Sequence, residues 1–298
     1  MKTRLLTQAD YSAYEAFLRR HAATSMFLRS NARQAGLEFQ GKDYQAHYFG
    51  AFDGDELRGV VALCWNGSVL PQAPETLDAL IDHAKREMPD FRVNALSGPG
   101  PQVRALVARI NPAESDIAIS RAEDTYHLRL ADMVVPKQLQ RGWHVRRAEE
   151  RDAETMARRQ VIFASEGLNA PINDEALARA RADIGRWIGE RRGFVLEADG
   201  QVVAQCAFNG QLPDTVQVGG VFTPPELRRH GYARGLVAGA LRIAREEGVS
   251  ETLLFTQNPF AARAYEAIGY RRVADFHLTL LREGKLLRAA RPGISFET

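Results

Sequence analysis

Apolar positions recur along the chain in two different periods, which predict helices and strands. The apolar residues within 231–247 lie one and two helical turns apart, and this spacing predicts a helix with one buried face. These residues are Leu236, Val237, Ala240, Leu241 and Ala244. Gly248 follows and predicts the end of the helix. The preceding segment TVQVGGVFT (215–223) has the apolar, β-branched character of a strand.

Similar segments recur in the two halves of the chain. The segment VVALCWNG (60–67) returns as VVAQCAFNG (202–210), and each follows an Asp-Gly pair, at 53–54 and at 199–200. An Asp-Gly pair between apolar runs predicts a tight hairpin, because both residues tolerate a positive φ. Two helical starts and two later strands, DTYHLRL (124–130) and DFHLTL (275–280), are repeated in the same order. The repetition favours a duplicated domain.

Each half is predicted to contain the same succession of elements: helix, helix, hairpin, strand, helix, strand, helix, strand. This pattern predicts an α/β (α+β) fold with two tandem domains. Each domain is expected to be a mixed, mostly antiparallel twisted sheet flanked by helices. Pro136 and Gly142 interrupt the periodicity between the halves, so we expect domains at 1–140 and 141–298.

The turn between strand and helix in VFTPPELRRHGYA (221–233) predicts an anion site. The first N–H groups of a helix have no partner within it, and the positive end of the helix dipole lies there. Arg228 and Arg229 add positive charge, while Gly231 and Ala233 leave the backbone open. A pyrophosphate is the simplest ligand for such a site. On this pattern alone, an arginine-capped turn is the alternative.

The spacing Arg228-x-x-Gly231-x-Ala233 resembles the acyl-CoA loop of the GNAT (GCN5-related N-acetyltransferase) superfamily. A second segment, TQNPFAARAYEAIGYRRV (256–273), resembles the last helix of that superfamily. Its matching residues are Asn258, Ala261, Tyr265, Gly269 and Tyr270. The resemblance extends over about 143–281. This segment is similar to predicted bacterial acetyltransferases with two tandem GNAT domains.

The resemblance implies acetyl-CoA as co-substrate, with its pantetheine paired to a strand edge and its pyrophosphate held by backbone amides. The residues expected to bind it are Val221, Phe222, Thr223, Arg228, Arg229, His230, Gly231, Tyr232, Ala233 and Asn258. Asn258 could instead bind the start of its own helix. Gly219 and Gly220 are expected to bulge the strand and open the sheet, with a simple bend as the alternative.

Tyr265 is expected to supply a proton to the departing thiolate. A phenol with a pKa of ~10 and a thiol with a pKa of ~8.5 make this transfer uphill by roughly 2 kcal/mol, which positioning can offset. Gln217 stands where histone-type members have a glutamate, and a carboxamide cannot act as a base. Glu166 could do so through a water, or be a solvated loop charge. Cys206 is expected to be a small core residue.

The first half is expected to lack this machinery. We take FRVNALSGPGPQVRALVARI (91–110) as the counterpart of the strand, turn and helix, and its prolines, Pro99 and Pro101, remove N–H groups that a phosphate would use. For GPG itself, an ordinary turn at the start of a helix is the favoured interpretation. Residues 1–140 are therefore interpreted as a degenerate GNAT-like domain without the CoA loop. Such a domain would shape the acceptor site or form a subunit contact.

The resemblance implies an N-acetyltransferase that moves an acetyl group from acetyl-CoA to a primary amine of a small molecule or peptide. Direct attack in a ternary complex is the expected mechanism. Two alternatives remain open. The missing strand glutamate is compatible with a non-catalytic acyl-CoA-binding regulator, and some tandem GNAT-like proteins use aminoacyl-tRNA.

Composition narrows the remaining possibilities. The 298 residues are 45% hydrophobic, enough for one large domain or two smaller ones, and the net charge of +2 predicts no nucleic-acid partner. Two cysteines, Cys64 and Cys206, are too few for a disulfide framework or a structural zinc site, so no metal is expected. Without a long apolar run we expect a cytoplasmic protein with no membrane partner, either monomer or homodimer.

Overall fold

The computed structural model describes residues 1–140 and 142–287, and these form two compact units. Unit 1 is Met1–Glu123 together with the described part of Ala274–Thr298. Unit 2 is Asp124–Val273. The fold is mixed α/β, with mostly antiparallel strands flanked by helices, as the sequence predicts.

The two halves of the chain contain the same elements in the same order. The first half has β1 (Lys2–Leu5), α1 (Tyr11–Arg19), α2 (Met26–Ala35), β2 (Ala46–Asp53), β3 (Glu56–Cys64), β4 (Ser68–Gln72), α3 (Leu77–Glu87), β5 (Arg92–Pro99), α4 (Gly100–Ile110) and β6 (Ile117–Arg129). The second half has β7 (His144–Arg147), α5 (Ala153–Leu168), α6 (Asp174–Gly189), β8 (Gly193–Ala198), β9 (Gln201–Gln211), β10 (Thr215–Phe222), α7 (Tyr232–Glu246), β11 (Glu251–Thr256), α8 (Pro259–Glu266) and β12 (Arg271–Leu286). The predicted succession is confirmed, and each half begins with one additional short strand.

The sheet of unit 1 has the strand order β1-β2-β3-β4-β5-β12. Its neighbours are antiparallel except β4 and β5. Because side chains alternate along a strand, Phe49 packs with α3 and α4 on one face of the sheet, whereas Tyr48 packs with α1 and α2 on the other. Both faces of this sheet are therefore covered by helices.

The sheet of unit 2 has the strand order β6-β11-β10-β9-β8-β7. Its parallel pair is β10 and β11. Val216 and Val218 of β10 pack with α7 and α8, whereas Val195 of β8 packs with α5 and α6. The residue between the two valines, Gln217, therefore belongs to the α5 face.

Each unit receives one strand from the other half of the chain. In unit 1, β12 pairs with β5, with Phe276 opposite Pro99. In unit 2, the end of β6 pairs with β11, with Asp124 opposite Thr256. The compact units consequently divide the chain at 123/124 and 273/274, unlike the contiguous domains 1–140 and 141–298 expected from the sequence. The repeated sequence identifies these strands as equivalent but does not reveal their neighbours.

Candidate functional site

The parallel strands β10 and β11 pair over only part of their length. The pairing extends from Thr215 opposite Glu251 to Val218 opposite Leu254. Beyond Val218, β10 continues along β9, with Gly219 opposite Ala207 and Phe222 opposite Gln205. Three steps on β10 match two steps on β9, so β10 carries a bulge, as the sequence predicts. The bulge lies where β10 is no longer paired with β11.

Gly220 occupies the bulge in a conformation that few other residues tolerate. Its φ is +59°, and a Cβ added there would lie 3.0 Å from the ring of Trp187 on α6. Val221 and Thr223, which follow, are both partly exposed. The glycine therefore permits the local opening of the sheet edge beside Val221.

The loop 223–231 and the first turn of α7 present a row of backbone donors. The first helical hydrogen bond is donated by the N–H of Gly235 to the carbonyl of Gly231, at 3.0 Å. Among the described residues, no acceptor is paired with the six N–H groups of residues 229–234. Arg229 and Gly231 have φ values of +69° and +84°. A run of N–H groups in such turns forms an anion-binding concavity, which we call the cradle (residues 229–234).

The rim of the cradle is fixed by aromatic contacts. The ring of Tyr232 lies 4.9 Å from that of Trp143 and stacks at 5.5 Å on that of His230. The Nδ1 of His230 lies 3.0 Å from the carbonyl of Arg228, and since a carbonyl only accepts, Nδ1 carries the proton. A Cβ added to Gly231 would make ordinary contacts with the side chains of Arg234, at 3.6 Å, and Trp143, at 3.8 Å, so both side chains border the cradle.

The structure places Glu166 beside Arg228, which lies in the loop that leads into the cradle. Its Oε2 lies 2.6 Å from Nη2 of Arg228, and both side chains are 43% exposed. Arg228 also donates from Nε to the carbonyl of Thr223, at 3.0 Å. The carboxylate considered as a base thus neutralises the arginine expected to attract phosphate.

Asn258 begins the helix that carries Tyr265. Its Oδ1 accepts hydrogen bonds from the N–H groups of Phe260, at 2.9 Å, and Ala261, at 3.4 Å. This contact confirms the alternative prediction, in which Asn258 binds the start of its own helix. The amide nitrogen of the side chain is left for other partners. Contact of Asn258 with a cofactor stays a prediction.

Tyr265 is buried, with only 7% of its surface exposed, and its ring meets that of Tyr270 edge-on at 6.1 Å. Among the described residues, none forms a hydrogen bond to its hydroxyl. Burial, and next the nearby Cys206 thiol, raise the pKa of Tyr265 well above its usual value of about 10. The phenol is therefore protonated at neutral pH and free to donate to a ligand.

Two neighbouring residues are deeply buried. Burial raises the pKa of the Cys206 thiol, so this residue stays protonated in the core, consistent with the expected core role. Gln217 is 2% exposed, and its Oε1 has no hydrogen-bond partner among the described residues. Two further glutamines with the same feature, Gln160 and Gln205, were not predicted as site residues. A polar residue inside an apolar strand, as in VVAQCAF, is the signal that could have revealed Gln205.

The expected counterpart of the cradle in the first half is wrong. Because the element order is repeated, β10 and α7 correspond to β4 and α3, joined by residues 73–76. The prolines of GPGP (98–101) instead lie between β5 and α4, which correspond to β11 and α8. Pro71 within β4 weakens the strand pattern there, so the sequence favours the next strand, β5, as the counterpart of β10.

Part of the true counterpart in unit 1 is engaged by the chain itself. The N–H of Ala73, which follows β4, donates to Oε1 of Gln102 at 2.7 Å. Pro71 fills the space beside Gly98, since a Cβ on that glycine would lie 3.1 Å from the proline ring. That the first half is a degenerate domain without a CoA loop stays a prediction. The residues on which it rests are now Pro71, Ala73 and Gln102.

Two absences concern the described ranges 1–140 and 142–287. No helix there is both long and apolar enough to cross a membrane. His, Cys, Asp and Glu side chains in those ranges form no cluster of three or more suited to a metal ion.

Comparison with known families identifies the part of the chain that carries the site. Residues 163–270 match the acetyltransferase (GNAT) family. This range contains the bulged strand, the cradle and Tyr265. The match supports the predicted resemblance of this part of the chain to the GNAT superfamily. It also agrees with acyl transfer as the general class of reaction.

Individual relatives are distant. A UPF0039 protein of Schizosaccharomyces pombe is 29% identical over 82 residues, covering 27% of this chain and 55% of that protein. The chain thus spans about half the length of this curated relative. A GCN5-related N-acetyltransferase from Sphaerobacter thermophilus has a similar structure, with a TM-score of 0.57 and 15% identity over 99% of this chain and 97% of its own.

A tandem GNAT protein from the clavulanic acid biosynthesis pathway also has a similar structure. Its TM-score is 0.50, with 16% identity over 95% of this chain and 98% of its own. At these identities the likeness of either structure concerns the fold, and the GNAT fold of unit 2 agrees with the family match.

Proposed function

We propose that this chain is an N-acetyltransferase that transfers the acetyl group of acetyl-CoA to a primary amine of a small molecule or peptide, by direct attack in a ternary complex. One observation carries the proposal. Six successive N–H groups, at residues 229–234, have no acceptor among the described residues, and they follow a strand that has separated from its parallel neighbour.

The cradle fits the diphosphate of coenzyme A. Backbone N–H groups at a helix start bind phosphate oxygens without needing a side chain, and the helix dipole adds favourable charge. The guanidinium of Arg234, 3.6 Å from the position of a Cβ on Gly231, would add positive charge beside the diphosphate. The pantetheine arm would then follow the backbone of Val221 to Thr223, as an added strand does, in the gap between β10 and β11.

The thioester would consequently lie near the bulge and Tyr265. A backbone N–H freed by the bulge would polarise the thioester carbonyl and stabilise the oxyanion that develops during attack. The phenol of Tyr265 would donate its proton to the departing thiolate, and the proton lost by the attacking amine nitrogen as the amide forms would restore the phenol. The raised pKa keeps Tyr265 protonated before the reaction, and it also makes donation to a thiolate more uphill than for an ordinary phenol, a cost that positioning against the sulfur must offset.

A second candidate function rests on Gln217. This residue occupies the strand position of the usual glutamate and cannot remove a proton from an ammonium group. A protein that binds acyl-CoA without turning it over would have no need of a base. Gln217 is the observation that favours such a regulator.

One assay separates the two candidates. The protein is mixed with acetyl-CoA and a panel of primary amines, thiol release is followed, and acetylated products are identified by mass spectrometry. Turnover with an acetylated amine supports the transferase. Calorimetric binding of CoA without turnover across the panel supports the binding protein, and the absence of both contradicts the assignment of the cradle to CoA.

A further inference from the structure

Trp187 of α6 covers the bulge of β10 on the α5 face of unit 2. A Cβ added to Gly220 would lie 3.0 Å from Cη2 of this tryptophan and 3.9 Å from Oε1 of Gln160. Carbon atoms in ordinary contact are separated by about 3.5–4.0 Å, so the strand and the ring leave no room for a methyl group between them. The glycine therefore allows the indole ring to lie directly on the backbone of the bulge.

The ring is held in place by the end of α6. Trp187 packs against the apolar cluster that joins α5, α6 and β8, and its carbonyl accepts a hydrogen bond of 2.7 Å from the N–H of Arg192. Its Cβ lies 3.5 Å from the position that a Cβ on Gly193 would take, so it is also in contact with the start of β8. The ring cannot move aside without losing this packing.

The gap between β10 and β11 is closed next to the bulge. The two strands are paired as far as Val218 opposite Leu254 and separate beyond that point. A pantetheine arm that runs from the cradle along Thr223 and Val221 would bring its thioester to the closed end of this gap. The acyl group then has no continuation in the plane of the sheet and must turn towards one of the two faces.

The α7 face is filled at this level of the sheet. Val218 and Leu254 are buried in the core beneath α7, and Tyr265 is buried in the same core. On the α5 face, Gln160 and Trp187 are partly exposed. The acyl group would therefore turn towards the α5 face, where it meets the ring of Trp187.

We propose that Trp187 sets the length of the acyl group that this site accepts. An acetyl group ends within the gap between the strands, whereas the third and fourth carbons of a longer chain reach the space that the indole ring occupies. Extra carbons in a filled space strain their surroundings, and a single methylene can change discrimination by about 10- to 200-fold. Acetyl-CoA is thus preferred over butyryl-CoA, and the preference depends on one side chain.

This inference rests on the proposed binding of acyl-CoA and gives that site a measurable selectivity. The ring and the acyl group meet before any reaction, so the selectivity holds whether the thioester is turned over or only bound. The affinity for thioesters of different chain length is therefore the readout, and it requires no amine acceptor.

Calorimetric titration of the full chain with CoA, acetyl-CoA and butyryl-CoA tests the proposal. We expect acetyl-CoA to bind about 20- to 100-fold more tightly than butyryl-CoA. Equal affinities for the two thioesters would overturn the inference and leave the proposed function intact. Failure of all three ligands to bind would refute the assignment of the cradle to CoA, and this inference with it.

Variants of Trp187 test its role directly. Trp187→Ala should lower the preference for acetyl-CoA over butyryl-CoA to less than about threefold, because the space beside the bulge is vacated. Trp187→Phe, with a smaller ring, should give an intermediate preference. Ile188→Ala is the matched control, since it removes apolar volume from the next residue of α6 and should keep the original preference. The same preference in Trp187→Ala as in Ile188→Ala would overturn the inference.

Thermal unfolding of each variant shows whether unit 2 remains folded. The readout is a ratio of two affinities in one sample, so partial unfolding lowers both affinities equally and leaves the ratio unchanged. Should Trp187→Ala not fold, Trp187→Phe decides alone. A preference in Trp187→Phe equal to that of the unaltered protein would then overturn the inference.

Discussion

The carboxylate of Glu166 and the guanidinium of Arg228 form an ion pair, with Oε2 and Nη2 separated by 2.6 Å. This pair connects the end of α5 with the loop that leads into the cradle. Its two members were expected to have separate roles, one as a base and the other as a phosphate contact. In the structure each neutralises the other, so a bound diphosphate would compete with Glu166 for Arg228.

Glu166→Gln should therefore strengthen CoA binding about two- to fivefold, because Arg228 is released for the phosphates. The effect should be modest, since exposed ion pairs contribute at most about 1 kcal/mol. Calorimetric titration with CoA measures it. Glu154→Gln, which alters another exposed carboxylate of α5 paired with Arg181, is the matched control. A large loss of kcat with unchanged CoA affinity would instead identify Glu166 as the base.

Tyr265→Phe should lower kcat about 100-fold or more while CoA affinity changes little, because only the proton donor is lost. Tyr270→Phe is the control. It removes a hydrogen bond of 2.9 Å to Thr252 and should reduce the free energy of unfolding by about 1 kcal/mol with kcat unchanged. Equal kcat in Tyr265→Phe and the unaltered protein would exclude the acid role.

The pH dependence of kcat follows from the burial of Tyr265. Because burial raises its pKa, the protonated form required for donation persists above the usual value of about 10. Activity limited by this group should thus show no decline between pH 8 and pH 10. A decline in kcat with a midpoint below pH 10 that is absent from Tyr265→Phe would contradict this environment.

Unit 1 should lose stability in acid through Asp10. The hydrogen bond from Arg4 lowers the pKa of Asp10 to about 2, so the pair stabilises the folded state above the unfolded pKa near 4 and ceases to do so as the pH falls towards 2. Asp10→Asn should cost about 1–2 kcal/mol of unfolding free energy at pH 7 and almost nothing near pH 2. Urea unfolding at both pH values measures the difference, and an equal cost at both would contradict the assignment.

Because β6 and β12 each pair with a strand from the other half of the chain, fragments cut at different positions should differ in their ability to fold. Residues 141–298 include the whole GNAT match but lack the part of β6 that pairs with β11, whereas residues 124–273 contain all of unit 2. The fragment 124–273 should therefore unfold cooperatively and bind CoA, and 141–298 should not. Thermal unfolding and CoA titration of both fragments test this, and the opposite ranking would mean that β6 is dispensable.

The sequence predicted those features that depend on local chemistry. Gly220 indicated the bulge because few residues accept its φ, and the apolar spacing from Leu236 to Ala244 indicated the buried face of α7. The Asp-Gly pair at 199–200 forms the hairpin turn, with φ values of +51° and +75°. Each of these signals is contained within a few residues.

Features that depend on distant partners were missed. Strands β1 and β7 are only four residues each, KTRL and HVRR, too short for an alternating pattern to be recognised. The exchange of β6 and β12 depends on which neighbour each strand meets, and their sequences are too alike to decide it.

The central claim is that the backbone N–H groups of the cradle bind the diphosphate of CoA, and calorimetric titration of two aspartate variants tests it most directly. Gly231→Asp places a carboxylate at the cradle, whereas Gly248→Asp repeats the change at the other end of α7. Both glycines have positive φ, +84° and +97°, and only open or ordinary contacts around the added Cβ. We predict that Gly231→Asp abolishes CoA binding and that Gly248→Asp retains it. Equal affinity in the two variants would contradict the account.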